Sequence, residues 1–362
     1  MNFMKDSTRY NRQIILPEIG ENGQHKLSKA KVLIIGAGGL GAAVLPYLAA
    51  AGVGEIGIVD DDVIEVSNLQ RQVIYKTSAV GKCKVDEAKA MVAELNPFVK
   101  VNAIAEKLSG KNAISLFENY DIIVDATDNL SIKYLINDAC LVTNKPMVYG
   151  SIFRFQGQVS VFNYQNGPTY RCLYPDESSQ FLNCEDAGVI GISVGIIGML
   201  QANEVMKMIL EIGEVLSGKI LVYSILNNEQ QKYDFEKNTA FEMNETIFED
   251  KYKVIENQVE EIAAEVILNE IDNDEVLFLD VRNEEELPKL NFKNRIQIPL
   301  MKLENQIEKL NPNQTIYIYC QSGIRSKIAA ELLQKKNFTN VKSIAGGALA
   351  LSQLLKEEKI KV

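Results

Sequence analysis

Hydrophobic and polar positions change rhythm along the chain, and that rhythm predicts the elements. Lys31 and the unbroken apolar run 32–35 that follows it read as a strand at 31–35 of the parallel, buried type. It leads into a helix at about 40–51. A second apolar run at 56–59 stops at Asp60-Asp61-Asp62. Over 83–95 the positions Val85, Ala88, Val92 and Leu95 recur at helical spacing, which predicts an amphipathic helix. That helix ends before Asn96-Pro97, because proline disfavours helix in the residue before it. Strands follow at 99–104 and 121–125. Strand and helix alternating over short connections predict a parallel, doubly wound α/β sheet of Rossmann type.

After residue 150 the rhythm alters. "GQVSVFNY" alternates apolar and polar like an antiparallel strand, and "LVYSIL" at 221–226 reads as another. The most apolar run, "AGVIGISVGIIGMLQA" at 187–202, is ended by Asn203 and Glu204. It is short for a membrane span and reads as a buried, glycine-rich helix. The polar, acidic stretch 227–257 reads as the link between domains. From about 258 a smaller α/β pattern begins, with a helix at 259–268, strands at 276–280 and 315–319, and a helix at 326–336. The expected organisation is a first domain at 1–240, a linker at 241–257 and a second domain at 258–362.

Composition narrows the function. With 362 residues, 46% of them hydrophobic, there is core enough for two domains. A net charge of −10 with no basic patch makes nucleic acid or an anionic membrane an unexpected partner. The N-terminal "MNFMKDSTRYNRQ" does not read as a secretory signal. The five cysteines, at 83, 140, 172, 184 and 320, form no C-x-x-C pair, and free thiols suit a cytoplasmic protein. The single histidine, His25, leaves almost no scope for imidazole chemistry.

The first strand runs into Gly36-Ala37-Gly38-Gly39-Leu40-Gly41. Such a loop lets a phosphate approach the backbone at a helix N-terminus. Asp60 follows at about 20 residues, where an acidic side chain takes ribose hydroxyls. Alone, this favours NAD. Downstream, however, stand Asn68, Arg71, Gln72, Lys84 and Asp128. Cations, amides and a carboxylate able to hold a metal suit triphosphate chemistry better.

Read in order, "RYNRQIILPEIG", "GAGGLG", "DDDVIEVSNLQRQ", "GKCKVDEAK", "DATDN", "GPTYRCLYP" and "CEDAGVIG" resemble the MoeB/ThiF family over about 5–235. These are E1-like enzymes that adenylate ubiquitin-like sulfur carriers ending in Gly-Gly. The resemblance implies ATP in place of NAD, with Asp60 on the ribose and Asn68, Arg71, Gln72 and Lys84 on the triphosphate. It places Asp128 on Mg²⁺ near the carrier's C-terminus. It also implies a homodimer in which Arg12 reaches the neighbouring subunit's ATP site. Cys184 sits where some members carry a loop cysteine that links covalently to the carrier, while in others it is a dispensable thiol. Cys172 falls where many relatives have the second cysteine of a zinc-binding C-x-x-C. Here Thr169 takes the first position and no later pair exists, so no zinc is expected.

In "IYIYCQSGIRSKIAAELL" Cys320 stands between a strand and a helix. The loop can turn its N–H groups toward the sulfur, and the helix N-terminus favours a sulfur anion. With "FLDVRNEEEL", "IQIPL" and "IAGGAL", this segment resembles a rhodanese domain over about 260–362. The likeness puts a persulfide on Cys320, Arg325 in the loop, and Asp280 and Arg282 as supports, fed by a separate sulfur donor. The usual Gly-Ala before the middle strand and the tryptophan after the GG turn are missing. Together the two resemblances imply a fused adenylyltransferase and sulfurtransferase serving molybdopterin or thiamine biosynthesis. Three other readings stay open: an NAD(P)-dependent oxidoreductase with an accessory rhodanese domain, a non-catalytic carrier-binding scaffold, and a rhodanese whose first domain is only an anchor. Arg12, Arg71 and Lys84 weigh against the first, and the intact "GAGGLG" with Asp128 against the second.

Overall fold

A computed structural model describes residues 7–175, 188–238, 241–253, 259–271 and 273–360. The chain divides between Lys253 and Val254 into two units. The first opens with helices α1 (Ser7–Ile14) and α2 (Gly20–Lys29). Strand and helix then alternate: β1 (Lys31–Ile35), α3 (Gly39–Ala51), β2 (Glu55–Val59), α4 (Lys84–Leu95), β3 (Lys100–Ile104), α5 (Ala113–Phe117), β4 (Ile122–Asp125), α6 (Leu130–Thr143) and β5 (Met147–Phe153). The chain returns through β6 (Gln156–Phe162), the single turn α7 (Tyr170–Leu173), α8 (Gly191–Leu210), the hairpin of β7 (Lys219–Ser224) and β8 (Glu229–Asp234), and α9 (Glu245–Lys253).

These strands form one sheet in the order β3-β2-β1-β4-β5-β6-β7-β8. Pairing is parallel from β3 to β5 and antiparallel from β5 to β8. Side-chain alternation sends Val32 and Ile34 into the apolar cluster on one face and Leu33 and Ile35 into that on the other. The sheet is thus covered on both sides, as the run at 31–35 predicts. After β1 the chain crosses to β2 on one side, while β4 lies on the other. The carboxyl ends of β1 and β4 flank the crevice where doubly wound sheets bind ligands.

Three expectations need correction here. Leu95 is 38% exposed, whereas Val85, Ala88 and Val92 of the same helix are fully buried. Helix α8 does not end near residue 202 but runs on to Leu210. Glu204, which looked like a stop, is buried inside it and accepts a hydrogen bond from the backbone N–H of Leu216 at 3.0 Å. Among the described residues α8 is long and apolar enough to cross a membrane, yet its Ile197 and Gly198 pack on β6 and α3. The stretch expected as linker also contains structure. Exposed β8 pairs with β7, and α9 docks on the first unit through buried Phe248 and Tyr252. Two aromatic anchors one turn apart, with Lys251 and Tyr252 bonded to Asp138, hold this otherwise mostly polar helix.

The second unit contains β9 (Glu260–Ile262), β10 (Val276–Asp280), β11 (Arg295–Gln297), the turn α10 (Leu300–Leu303), β12 (Thr315–Tyr319), α11 (Ile324–Lys335), β13 (Val341–Ile344) and α12 (Gly347–Ile360). All pairs are parallel, in the order β11-β10-β12-β13-β9. Leu277 and Leu279 face one apolar cluster, Val276 and Phe278 the other. The helix expected at 259–268 is instead β9 followed by a 3-10 helix at Ala264–Asn269. Pairing of Glu260–Ile262 with Lys342–Ile344 of β13 overrides the local preference.

Candidate active sites

The loop from Gly36 to Gly41 joins β1 to α3, and its glycines have different reasons to be there. Gly36 lies in the left-handed region at φ 99°, and a Cβ on it would stand 2.7 Å from the carbonyl oxygen of Ala126. A Cβ on Gly41 would lie 2.1 Å from the carbonyl oxygen of Gly36. Gly39 is closed off by Val194 of α8, whereas around Gly38 only the Gln72 amide comes near, at 3.7 Å. The cradle is therefore open at Gly38. It is steadied by Tyr75, whose hydroxyl donates to the carbonyl of Ala37 at 2.8 Å.

Asp60 grips the same loop. Its Oδ2 accepts the N–H of Ala37 at 2.7 Å and its Oδ1 the N–H of Asp62 at 2.9 Å. Burial pushes the Asp60 carboxyl up, against these two bonds and nearby Lys84. Asn68 is buried in a short turn, accepting from the N–H of Glu65 at 3.1 Å. Arg71 is half-buried and donates to the carbonyl of Ser67. Gln72 is 3% exposed and its Oε1 has no partner. A buried carbonyl oxygen left unbonded beside an open backbone cradle marks a place for a donor from a ligand. Lys84, 5% exposed at the start of α4, pairs with the exposed carboxylate of Asp62 at 2.7 Å.

Asp128 stands exposed on the loop after β4. Ala126, on that loop, abuts Gly36, which brings the loop alongside the glycine cradle. Among the described residues no group of three His, Cys, Asp or Glu side chains could cage a metal. An Mg²⁺ here would rest on Asp128, phosphate oxygens and water, a donor set that fits this ion. Cys184 lies outside the described residues. Cys172 is tied to backbone: its sulfur accepts N–H bonds from Thr169 and Asn238, both at 3.3 Å. Arg12 is exposed on α1. That helix is anchored at the far end of α3, where Gln13 donates to the carbonyl of Ala51 at 3.1 Å and Tyr10 packs on Gly52.

Several supporting residues escape sequence reading. Asp125, fully buried in "DATDN", is paired with buried Lys133 of α6 at 2.7 Å. Lys133 also donates to the carbonyl of Gly150, and Thr127 donates to Asp125 through its N–H and its hydroxyl. Gln201 of α8 donates to the backbone carbonyl of Asp125 at 2.7 Å. These bonds hold the loop that carries Asp128. The available signal is one lysine inside the otherwise buried face of α6. Further off, Asp138 binds Arg171 through both oxygens, with Tyr252 and Lys251 added. Burial alone would raise the Asp138 carboxyl, but these partners outweigh it and hold it below the usual carboxylate range.

In the second unit Cys320 closes β12 and is 1% exposed. Its sulfur accepts the N–H of Gly323 at 3.1 Å, and Ser326 places its hydroxyl 3.8 Å away. Gly323 adopts φ 103°, which turns its N–H inward. A Cβ on Gly347 would lie 2.4 Å from the carbonyl oxygen of Cys320, so the GG turn packs on the strand end. Buried Arg282 is bonded twice to Asp280 and reaches Gln321 at 3.1 Å, bracing the loop next to the sulfur. Arg325 forms a double bond pair with Glu286 at 2.7 and 2.6 Å, and this holds the Glu286 carboxyl below its ordinary range.

A model of the ThiF family matches residues 10–243, and a model of the rhodanese-like domain matches residues 263–353. A probable molybdopterin-synthase adenylyltransferase of Porphyra purpurea is 38% identical, over 99% of this chain and 96% of its own length. A probable adenylyltransferase/sulfurtransferase MoeZ of Mycobacterium tuberculosis is 36% identical, over 98% and 95%. Among solved structures, Escherichia coli MccB with ATP is 25% identical with a TM-score of 0.58, covering 65% of this chain and 74% of that one.

Proposed function

The chain belongs to the ThiF family and carries a rhodanese-like domain, and from that premise we propose that it is an adenylyltransferase and sulfurtransferase acting on a ubiquitin-like sulfur carrier protein. ATP activates the carrier's C-terminal glycine, and sulfur carried on Cys320 converts the adenylate to a thiocarboxylate for molybdopterin or thiamine biosynthesis. The observation that carries this reading is the open backbone cradle at Gly38, whose loop is held by Asp60, with the cations Arg71 and Lys84 on the segment that follows β2.

The carrier's carboxylate oxygen bonds to the α-phosphorus of ATP. The bond from that phosphorus to the bridging oxygen breaks, and its electron pair leaves on pyrophosphate. A carboxylate needs no general base, which agrees with a chain whose one histidine is His25. Arg71 and Lys84 stabilise the charge gathering on the phosphates, Lys84 by exchanging its partner Asp62. Mg²⁺ on Asp128 would neutralise the departing pyrophosphate. The terminal sulfur of a Cys320 persulfide then bonds to the adenylate carbonyl and AMP leaves. The thiol of a separate reductant then attacks Cys320 Sγ. That forms a disulfide and releases the thiocarboxylate, so the electrons balance.

The position of α1 supports a homodimer. A helix of the length of α3 spans about 20 Å, and α1 is held at the end of α3 opposite the glycine loop. Arg12 thus sits on a helix held at the end of α3 away from its own cradle, with exposed Ile15 and Leu16 close by in the chain. ATP–pyrophosphate exchange with carriers ending in Gly-Gly is the direct test. Exchange is expected with at least one carrier. None with any, together with tight NAD binding, overturns the reading. A sulfur adduct from thiosulfate that survives Cys320→Ala overturns the choice of cysteine.

A further inference from the structure

Strand β13 carries a polar side chain that its packing does not require. Ser343 is fully buried between Val341 and Ile344 on a strand inside the sheet. Its hydroxyl lies 2.8 Å from that of Ser326, which is also fully buried, in the first turn of α11. The Ser326 oxygen is in turn 2.8 Å from the carbonyl oxygen of Gly323 and 3.8 Å from Cys320 Sγ. The Ser343 oxygen is 3.5 Å from the same carbonyl.

Each hydroxyl has one hydrogen to give. Several arrangements use both, and two of them keep a hydroxyl on the carbonyl while differing in what the sulfur receives. In the first, Ser343 donates to Ser326 and Ser326 donates to the Gly323 carbonyl, so the sulfur receives only the Gly323 N–H. In the second, Ser326 donates to the sulfur and Ser343 turns to the Gly323 carbonyl. The sulfur then receives two donors, and the carbonyl keeps a hydroxyl beside its long bond from the Lys327 N–H at 3.3 Å. Without Ser343, moving the Ser326 hydrogen to the sulfur leaves a buried carbonyl with that long bond alone, which opposes the move.

We propose that Ser343 is a positioning residue for the Cys320 sulfur: it releases the Ser326 hydroxyl to the sulfur when the sulfur carries negative charge as thiolate or persulfide. Only O–H bonds rotate, and no covalent bond changes. A nearly enclosed anion needs such a donor, since a charge buried without partners is costly. The inference rests on reading Cys320 as the sulfur-carrying residue.

The test uses the full chain at pH 7, with iodoacetamide alkylation of Cys320 followed by peptide mass spectrometry. Ser343→Ala should slow alkylation about fivefold, and Ser343→Thr should restore the parent rate within about twofold. Ser326→Ala should slow it at least as much, and adding Ser343→Ala to that variant should change nothing further, because the two hydroxyls act in series. Parent-like alkylation in Ser343→Ala, or additive losses in the double variant, overturns the proposal. Thiosulfate loading of the parent separates the two readings. Sulfur absent from Cys320 overturns its carrier role, while the alkylation series still decides the hydroxyl relay.

Discussion

Replacing Asp60 with asparagine tests what the acidic residue after β2 does. Both Asp60 oxygens already hold backbone N–H groups, those of Ala37 and Asp62. A carboxylate offers about four acceptor positions, so about two remain for ribose hydroxyls. Asparagine keeps one oxygen and turns an NH₂ toward either a loop N–H or the ribose. At least one charge-assisted bond is lost, worth about 1.5–3 kcal/mol, which corresponds to about 10- to 150-fold in affinity. The ribose takes no part in the reaction. The loss therefore falls equally on ground and transition states, raising KM for ATP while kcat stays within about threefold. ATP–pyrophosphate exchange across an ATP titration reads both constants. An unchanged KM, or a collapse of kcat alone, would show that Asp60 does not hold the nucleoside.

Gly41→Ala should lower the thermal midpoint, with an overpacking cost of about 1–3 kcal/mol, and cut exchange more than about tenfold. A Cβ 2.1 Å from the Gly36 carbonyl must displace backbone. Mixing Arg12→Ala and Asp128→Ala subunits should recover exchange that neither variant shows alone; no recovery would place Arg12 in its own subunit's site. Acid stability provides a further check. The Asp138 carboxyl is held down in the folded state, so the unfolded chain binds the extra proton first. The stabilisation is complete above about pH 4 and disappears as pH falls through the folded value. Urea midpoints between pH 7 and pH 3 should drop less steeply in Asp138→Asn. That variant should also lose up to about 3–5 kcal/mol at pH 7 by breaking a buried pair.

Much of the fold was legible because its signals are local. The runs at 31–35 and 276–280 match β1 and β10, and a strand needs only a few consecutive residues to declare itself. The failures came where a partner decided. Glu260–Ile262 lies in a helix-like stretch but becomes a strand because β13 offers it an edge. Glu204 looked like a helix stop, yet α8 continues because Lys207, one turn on, and the N–H of Leu216 satisfy the carboxylate. Helix α9 hides in polar sequence because it docks through two aromatics, Phe248 and Tyr252, and through bonds to distant Asp138.

By itself the sequence determined which chemistry is available: a glycine loop, the cations of "SNLQRQ" and "GKCK", one histidine, and a cysteine at a strand end. Those motifs are readable because each is a short segment whose backbone carries the chemistry. Only the tertiary structure decided which distant side chains meet. It joined Lys133 to Asp125 beneath the Asp128 loop, Arg325 to Glu286, and Ser343 to Ser326 under the sulfur. It also set Arg12 at the end of α3 opposite the cradle. A polar group's role depends on whether water or another group satisfies it. That is settled by what packs over it, and the packing partners lie far away in the chain.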